Sequence, residues 1–191
     1  LMSIFFAKPE ENFKKFITAL AAVPKQIKSI LGENESFKKL AKKYSKHNNF
    51  LYIGRGYNYP VALEGALKLK EISYAHAEGY SAGEMKHGPI ALIDKNFPTI
   101  AIATKNRLYE KTISNLEEIR ARGGPIIAIA TRGDKQIAKI ADDVIYIPET
   151  LPQLEPLLAI VPLQLFAYHF AVMRGCDVDK PRNLAKSVTV E

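Results

Sequence analysis

Pro98-Thr-Ile-Ala-Ile-Ala103, a helical pattern over 106–122, the stop Gly123-Gly124 and a second apolar run, Pro125-Ile-Ile-Ala-Ile-Ala130, read as one strand–helix–strand unit. Both runs are short, rich in β-branched residues and apolar at nearly every position, which is the pattern of strands buried on both faces of a parallel sheet. The glycines end the helix, and Pro125, which has no N–H to continue it, opens the next strand. Two strands joined in this way lie parallel, with a right-handed crossover. The class is therefore α/β.

The alternation extends outward from this unit. Strands are expected at 50–53, 98–103, 125–130 and 144–147, with 90–93 as a fifth, and helices at 60–77, 106–122, 135–141 and 152–174. This order predicts a doubly wound parallel sheet of flavodoxin-like type. The first 49 residues read differently: a helix ending near Val23, a second opened by Pro24 and closed by Gly32, and a third over 36–47. No strand opens the chain, so this helical lead-in reads as a connection from something upstream, and the chain is expected to be a fragment of a longer protein.

With 191 residues, 47% hydrophobic and 25% charged, the chain can bury one domain plus an appendage. Its formal charge of +7 invites a nucleic-acid reading, but residues 1–49 hold ten Lys against four Glu, whereas 50–191 hold seventeen basic and sixteen acidic side chains. The excess sits on the lead-in, where Lys38-Lys39 and Lys42-Lys43 read as a solvated helix face without interleaved aromatics, so no nucleic-acid partner is expected. The single cysteine, Cys176, has neither a disulfide partner nor metal-ligand spacing, which points to a reducing cytoplasm. Residues 154–173 are apolar enough to suggest a membrane span. They contain Glu155, Pro156, Pro162, Gln164 and His169, however, so a buried core helix is expected and no membrane partner.

Several constellations could carry chemistry. Gly54-Arg-Gly56-Tyr-Asn-Tyr59 sits where a dinucleotide or phosphate loop would lie, but Tyr occupies position 59, where a third glycine is needed, so the glycines read mainly as a tight strand-to-helix turn. Glu64, Lys68 and Glu71 fall at i, i+4 and i+7 on one arc of the following helix, with Ala62, Ala66, Leu69 and Ile72 on the opposite side. They are either an ordinary surface ion pair or a base beside an ammonium, able to move a proton on a carbon next to a carbonyl. The loop-like stretch 77–89 carries His87, suited either to proton transfer or to a hydrogen-bonded turn. His76 and His169 fall within apolar helical patterns and read as structural, and His47 reads as solvated. In the tail, Lys186 lies on a short apolar run: it is either a surface lysine or an amine whose desolvation would lower its pKa toward the range where it attacks carbonyls.

The stretches LEGALKLKEISYAHAEGYSAGEMKHGP, EEIRARGG, VPLQLFAYH and DVDKPRNLAKSVTVE closely resemble the C-terminal part of the glucosamine-6-phosphate synthase family, the isomerising glutamine:fructose-6-phosphate aminotransferases. The likeness covers essentially the whole chain. It implies a lead-in over 1–49, the second of two sugar isomerase (SIS) domains over 50–175, and an active-site tail over 176–191, with a glutaminase domain and a first SIS domain missing upstream. It further implies that Lys186 forms a Schiff base with open-chain fructose 6-phosphate and that Glu71 moves a proton between C1 and C2. Lys68 would assist with protons on the sugar oxygens, and Glu64 would hold that network. His87 would act in ring opening at the neighbouring subunit's site in a homodimer, and Arg182 and Asn183 belong to the covering tail. No cofactor or metal is implied. The family's Ser/Thr-rich phosphate loop belongs to the first SIS domain, and the turn from Arg55 to Tyr59 lacks it. The chain alone is accordingly expected to have little synthase activity. The alternatives are a stand-alone SIS phosphosugar isomerase and a phosphosugar-sensing module, both of which predict tight phosphosugar binding by this chain alone.

Overall fold

The computed structural model describes residues 9–184. Its elements are α1 (Pro9–Leu31), α2 (Asn34–Tyr44), β1 (Asn49–Gly54), α3 (Asn58–Ser73), β2 (His76–Ser81), β3 (Thr99–Ala103), α4 (Tyr109–Arg120), β4 (Ile126–Thr131), β5 (Asp143–Ile147) and α5 (Glu155–Met173). The five strands form one parallel sheet in the order β2-β1-β3-β4-β5. This is the doubly wound, flavodoxin-like arrangement, and the chain reverses its direction of winding between β1 and β3.

The period-two alternation of the central strands divides the interior into two cores. Phe50 and Tyr52, Ile100 and Ile102, and Ile127 and Ile129 face a layer made by α1, α2, α3 and α5. Leu51 and Ile53, Ala101 and Ala103, and Ile126, Ala128 and Ala130 face Ile113, Leu116 and Ile119 of α4. Alanine at alternate positions of β3 and β4 leaves room for these larger α4 side chains. In the first layer, α5 is the central helix: Phe166 and Phe170 meet Phe50 edge-on at ring distances of 6.0 and 5.2 Å. Among the described residues α5 is the helix long and apolar enough to cross a membrane, and more than half of it is buried inside the fold.

Four expectations need correction. The fifth strand is His76–Ser81, not 90–93. It pairs with β1 from Asn49↔His76 to Gly54↔Ser81 as a half-exposed edge strand, so its polar, glycine-containing sequence carries no buried run. The run around Ile90 instead forms a single 3-10 turn opened by Pro89. The helix expected at 60–77 therefore stops at Ser73, and the one expected at 135–141 is a 3-10 turn, Ile137–Lys139, entered through Asp134, whose Oδ1 accepts the N–H of Gln136. Finally, Pro24 does not divide the lead-in. It lies on the solvent face of a continuous helix whose other side buries Val23 and Ile30, and the carbonyl of exposed Leu20, deprived of its partner, can turn to water.

Two histidines also differ from expectation. His76 opens an edge strand with its ring mostly exposed, 3.6 Å from Glu78. His47 is half-buried, its Nδ1 3.1 Å from the Asn96 carbonyl oxygen and its ring edge-on to Phe50.

Candidate functional site

Helix α3 is built to show one polar arc. Its small residues Ala62, Gly65 and Ala66, together with Leu69, are buried, which leaves Glu64, Lys68 and Glu71 on the outer side. Lys68 Nζ donates to Glu71 Oε2 at 2.7 Å and stands 3.5 Å from Glu64 Oε1. The hydrogen bond to Glu71 raises the pKa of Lys68 against an opposing effect of partial burial, and the charges of Glu71 and Glu64 add to the rise. Lys68 is thus a stable ammonium and does not supply a free amine, while its charge sits directly against one Glu71 oxygen.

At the end of α3 the chain turns through Tyr74, which has a left-handed φ of 61° and whose N–H donates to the Lys70 carbonyl. Ser73 Oγ closes the turn by donating to Leu69 O and accepting the Ala75 N–H. The tail returns to this point. After α5, Asp177 Oδ1 accepts the N–H groups of Asp179 and Lys180, and the Arg182 N–H then donates to Tyr74 Oη at 2.9 Å. The result is a groove of about 380 Å³ lined by Leu67, Lys70, Glu71, Tyr74 and residues 182–184. Glu71, Arg182 and Asn183 are therefore brought together, with Lys68 beside them and Glu64 one turn behind. Lys186 lies outside the described residues.

His87 is elsewhere. It sits on a 3-10 turn, Met85–His87, anchored by buried Met85 and by the Lys86–Glu118 ion pair at 2.9 Å, and its own side chain is 75% exposed. That turn follows β2 at the C-terminal edge of the sheet, where α3 begins. Glu71 is in the last turn of α3, about 20 Å further along the helix axis. Within one chain the two groups do not share a site.

A second feature shows in the sequence only as the turn from Gly54 to Tyr59. At the C-terminal edge, between β1 and β3, a cavity of about 490 Å³ is lined by Arg55, Gly56, Tyr57, Asn106, Arg107, Leu108, Pro152 and Gln153. This is the reversal point where open α/β sheets place ligands. Its walls are held by Glu155, which is 4% exposed and whose Oε2 accepts from Asn58 Nδ2 at 2.9 Å, Thr104 Oγ1 at 2.6 Å and Asn106 Nδ2 at 2.9 Å. Arg55 in turn donates twice to Asn115 Oδ1, and Gly54 has no space for a side chain because a Cβ would fall 2.1 Å from the Asn58 carbonyl oxygen. The glycine turn is thus a tight strand-to-helix connection. The one sequence signal for Glu155 is a charge at the start of an otherwise apolar helix. Among the described residues no group of three or more His, Cys, Asp or Glu side chains is placed to hold a metal ion.

Residues 43–174 match the protein family described as the SIS domain. The chain is 58% identical over 182 residues to the glutamine–fructose-6-phosphate aminotransferase (isomerizing) of Chlorobaculum tepidum, covering 95% of this chain and 30% of that protein. It is 52% identical over 196 aligned positions to the protein of the same name from Thermus thermophilus, covering 100% of this chain and 32% of the other. The C-terminal domain of glucosamine-fructose-6-phosphate aminotransferase from Francisella tularensis superposes with a TM-score of 0.83 at 37% identity, covering 90% of this chain and 48% of that one. The chain spans about a third of the length of the two curated relatives it matches.

Proposed function

Because the chain belongs to the SIS domain family, we propose that it forms the C-terminal isomerase part of an enzyme that converts fructose 6-phosphate and glutamine to glucosamine 6-phosphate and glutamate. The observation that carries this reading is the return of the tail onto the end of α3, which lays Arg182 and Asn183 in the same groove as Glu71. The 58% identity to a protein named glutamine–fructose-6-phosphate aminotransferase (isomerizing) supports it. In this proposal 1–49 is a lead-in, 50–175 the isomerase domain and 176–191 its covering tail. The enzyme works in the cytoplasm as a homodimer, with a glutaminase domain and a first SIS domain supplied by the rest of a longer chain.

The amine of Lys186 adds to C2 of open-chain fructose 6-phosphate, and water leaves to form the imine. Ammonia, released from glutamine by the glutaminase domain, then replaces the lysine nitrogen. Glu71 removes a proton from C1 and returns it to C2, while the O1 proton passes to nitrogen. The sugar leaves as an aldehyde at C1 bearing an amine at C2. Lys68, held as an ammonium by Glu71 and Glu64, stabilises the negative charge that develops on the sugar oxygens during this exchange. His87 opens the sugar ring in the neighbouring subunit's site, which accords with its distance from Glu71 in its own chain.

Reduction with borohydride in the presence of fructose 6-phosphate tests the assignment. In the full-length enzyme, mass spectrometry is expected to find a hexitol phosphate attached at Lys186. An adduct on another lysine, or none, would sink it. Calorimetric titration of residues 1–191 with fructose 6-phosphate separates this reading from a stand-alone isomerase or sensor, because weak or absent binding by the isolated chain is expected here and tight binding there.

A further inference from the structure

Tyr74 carries none of the roles assigned above, yet a braced turn sets its backbone and two contacts from Arg182 meet its side chain. Its backbone holds the left-handed conformation, which is uncommon for a bulky side chain, and Ser73 braces that turn through two hydrogen bonds. Its phenol oxygen accepts the backbone N–H of Arg182 at 2.9 Å, and the Arg182 guanidinium lies over its ring at 4.2 Å. The same ring lines the groove beside Glu71. The hydrogen bond to the backbone sets the register of the tail along the groove, and the stacked guanidinium sets its side. Immediately afterwards Asn183, with a φ of 63°, turns the chain.

We propose that Tyr74 is a positioning residue, a latch that seats the tail at residue 182 along the groove that Glu71 lines. The inference rests on the functional reading above for its catalytic consequence, but not for the latch itself. A hydrogen bond and a partly exposed cation–π contact together hold the seated tail by about tenfold over the free one, equivalent to roughly 1.4 kcal/mol.

The test uses the full-length enzyme with Tyr74→Ala and Tyr74→Phe, the second keeping the ring and losing the hydroxyl. The release of C-terminal residues by carboxypeptidase is measured without sugar, and kcat, KM and borohydride trapping at Lys186 are measured with fructose 6-phosphate. Tyr74→Ala is expected to speed release about tenfold and to lower kcat and trapping by a similar factor, with Tyr74→Phe in between. Should Tyr74→Ala not fold, Arg182→Ala, which leaves the end of α3 intact, is expected to speed release several-fold. Unchanged tail release in the folded variants overturns the latch. If the unaltered enzyme traps no sugar at Lys186, the functional reading falls, and the release rates still judge the latch.

Discussion

Lys68 stands between two carboxylates on one helix face, and its environment separates it from the lysine chemistry proposed for the tail. A lysine that is to attack a carbonyl must lose its proton, whereas this one is held protonated by Glu71 and Glu64. Glu71 in turn has one oxygen on Lys68 and lines the tail groove, so the base proposed above has its charge balanced by a neighbouring ammonium. Glu71→Gln keeps the shape and removes the carboxylate proposed above as the base. In the full-length enzyme it is expected to lower kcat by about 10²–10⁴ with KM changed less than about threefold, as checked by steady-state kinetics. Because the side chain is partly exposed, the melting temperature is expected to stay within about 2 °C of the parent. The arc of Glu64, Lys68 and Glu71 was legible from spacing. Its choice between surface pair and site was not, because spacing alone says nothing of what lies opposite.

The edge strand β2 shows why some elements resist sequence reading. It has a neighbour on one side, so its residues are half-exposed and its sequence, His76-Ala-Glu-Gly-Tyr-Ser81, lacks the apolar run that announces β3 and β4. Gly79 looks like a loop residue but marks a close approach of α3 to β2, since a Cβ there would lie 2.8 Å from Leu63 Cα. Backbone cannot yield as a side chain does, so Gly79→Ala is expected to cost about 1–3 kcal/mol in urea denaturation. Helix α5 makes a different kind of demand. His169 is buried at 8% exposure with Nε2 2.8 Å from Asn34 Oδ1 at the start of α2, and burial, then the charge of Lys38, lower its pKa against the opposing pull of Glu35. A histidine lowered in the folded state binds fewer protons there than when unfolded, so its contribution to stability is present above about pH 6.5 and is lost as pH falls through the folded value. Thermal unfolding between pH 7.5 and 5 is therefore expected to show a smaller acid loss for His169→Gln than for the parent protein. Equal losses would remove His169 as the cause.

Across the whole molecule, Glu155 ties together the β1–α3 turn, the loop after β3 and the start of α5 through three donors. Glu155→Ala removes the acceptor of the buried Thr104 hydroxyl and leaves Asn58 and Asn106 to share Thr104 Oγ1 alone, and it is expected to cost about 2–4 kcal/mol, measured by denaturant unfolding. The same variant is expected to loosen the cavity at the reversal point while leaving Glu71 and the tail groove in place. The α/β class, four of the five strands and the central helix α5 could all be read from local pattern, because continuous β-branched runs and helical periods report burial directly. The resemblance of four stretches to one enzyme family points to the candidate residues independently of their geometry. The meetings that make the sites were not in any local pattern. Asn58 reaches Glu155 across 97 positions and Tyr74 meets Arg182 across 108, and such pairs exist because the parallel sheet brings segments distant in sequence together, the first pair at its C-terminal edge and the second at the opposite one. Tertiary packing likewise kept α1 whole through Pro24, made a strand of a polar stretch, and set Glu71 and His87 at opposite edges of the sheet. Each depends on which face meets water and which meets a neighbour, and that follows from the assembled layers, whereas the α/β class follows from the order of residues.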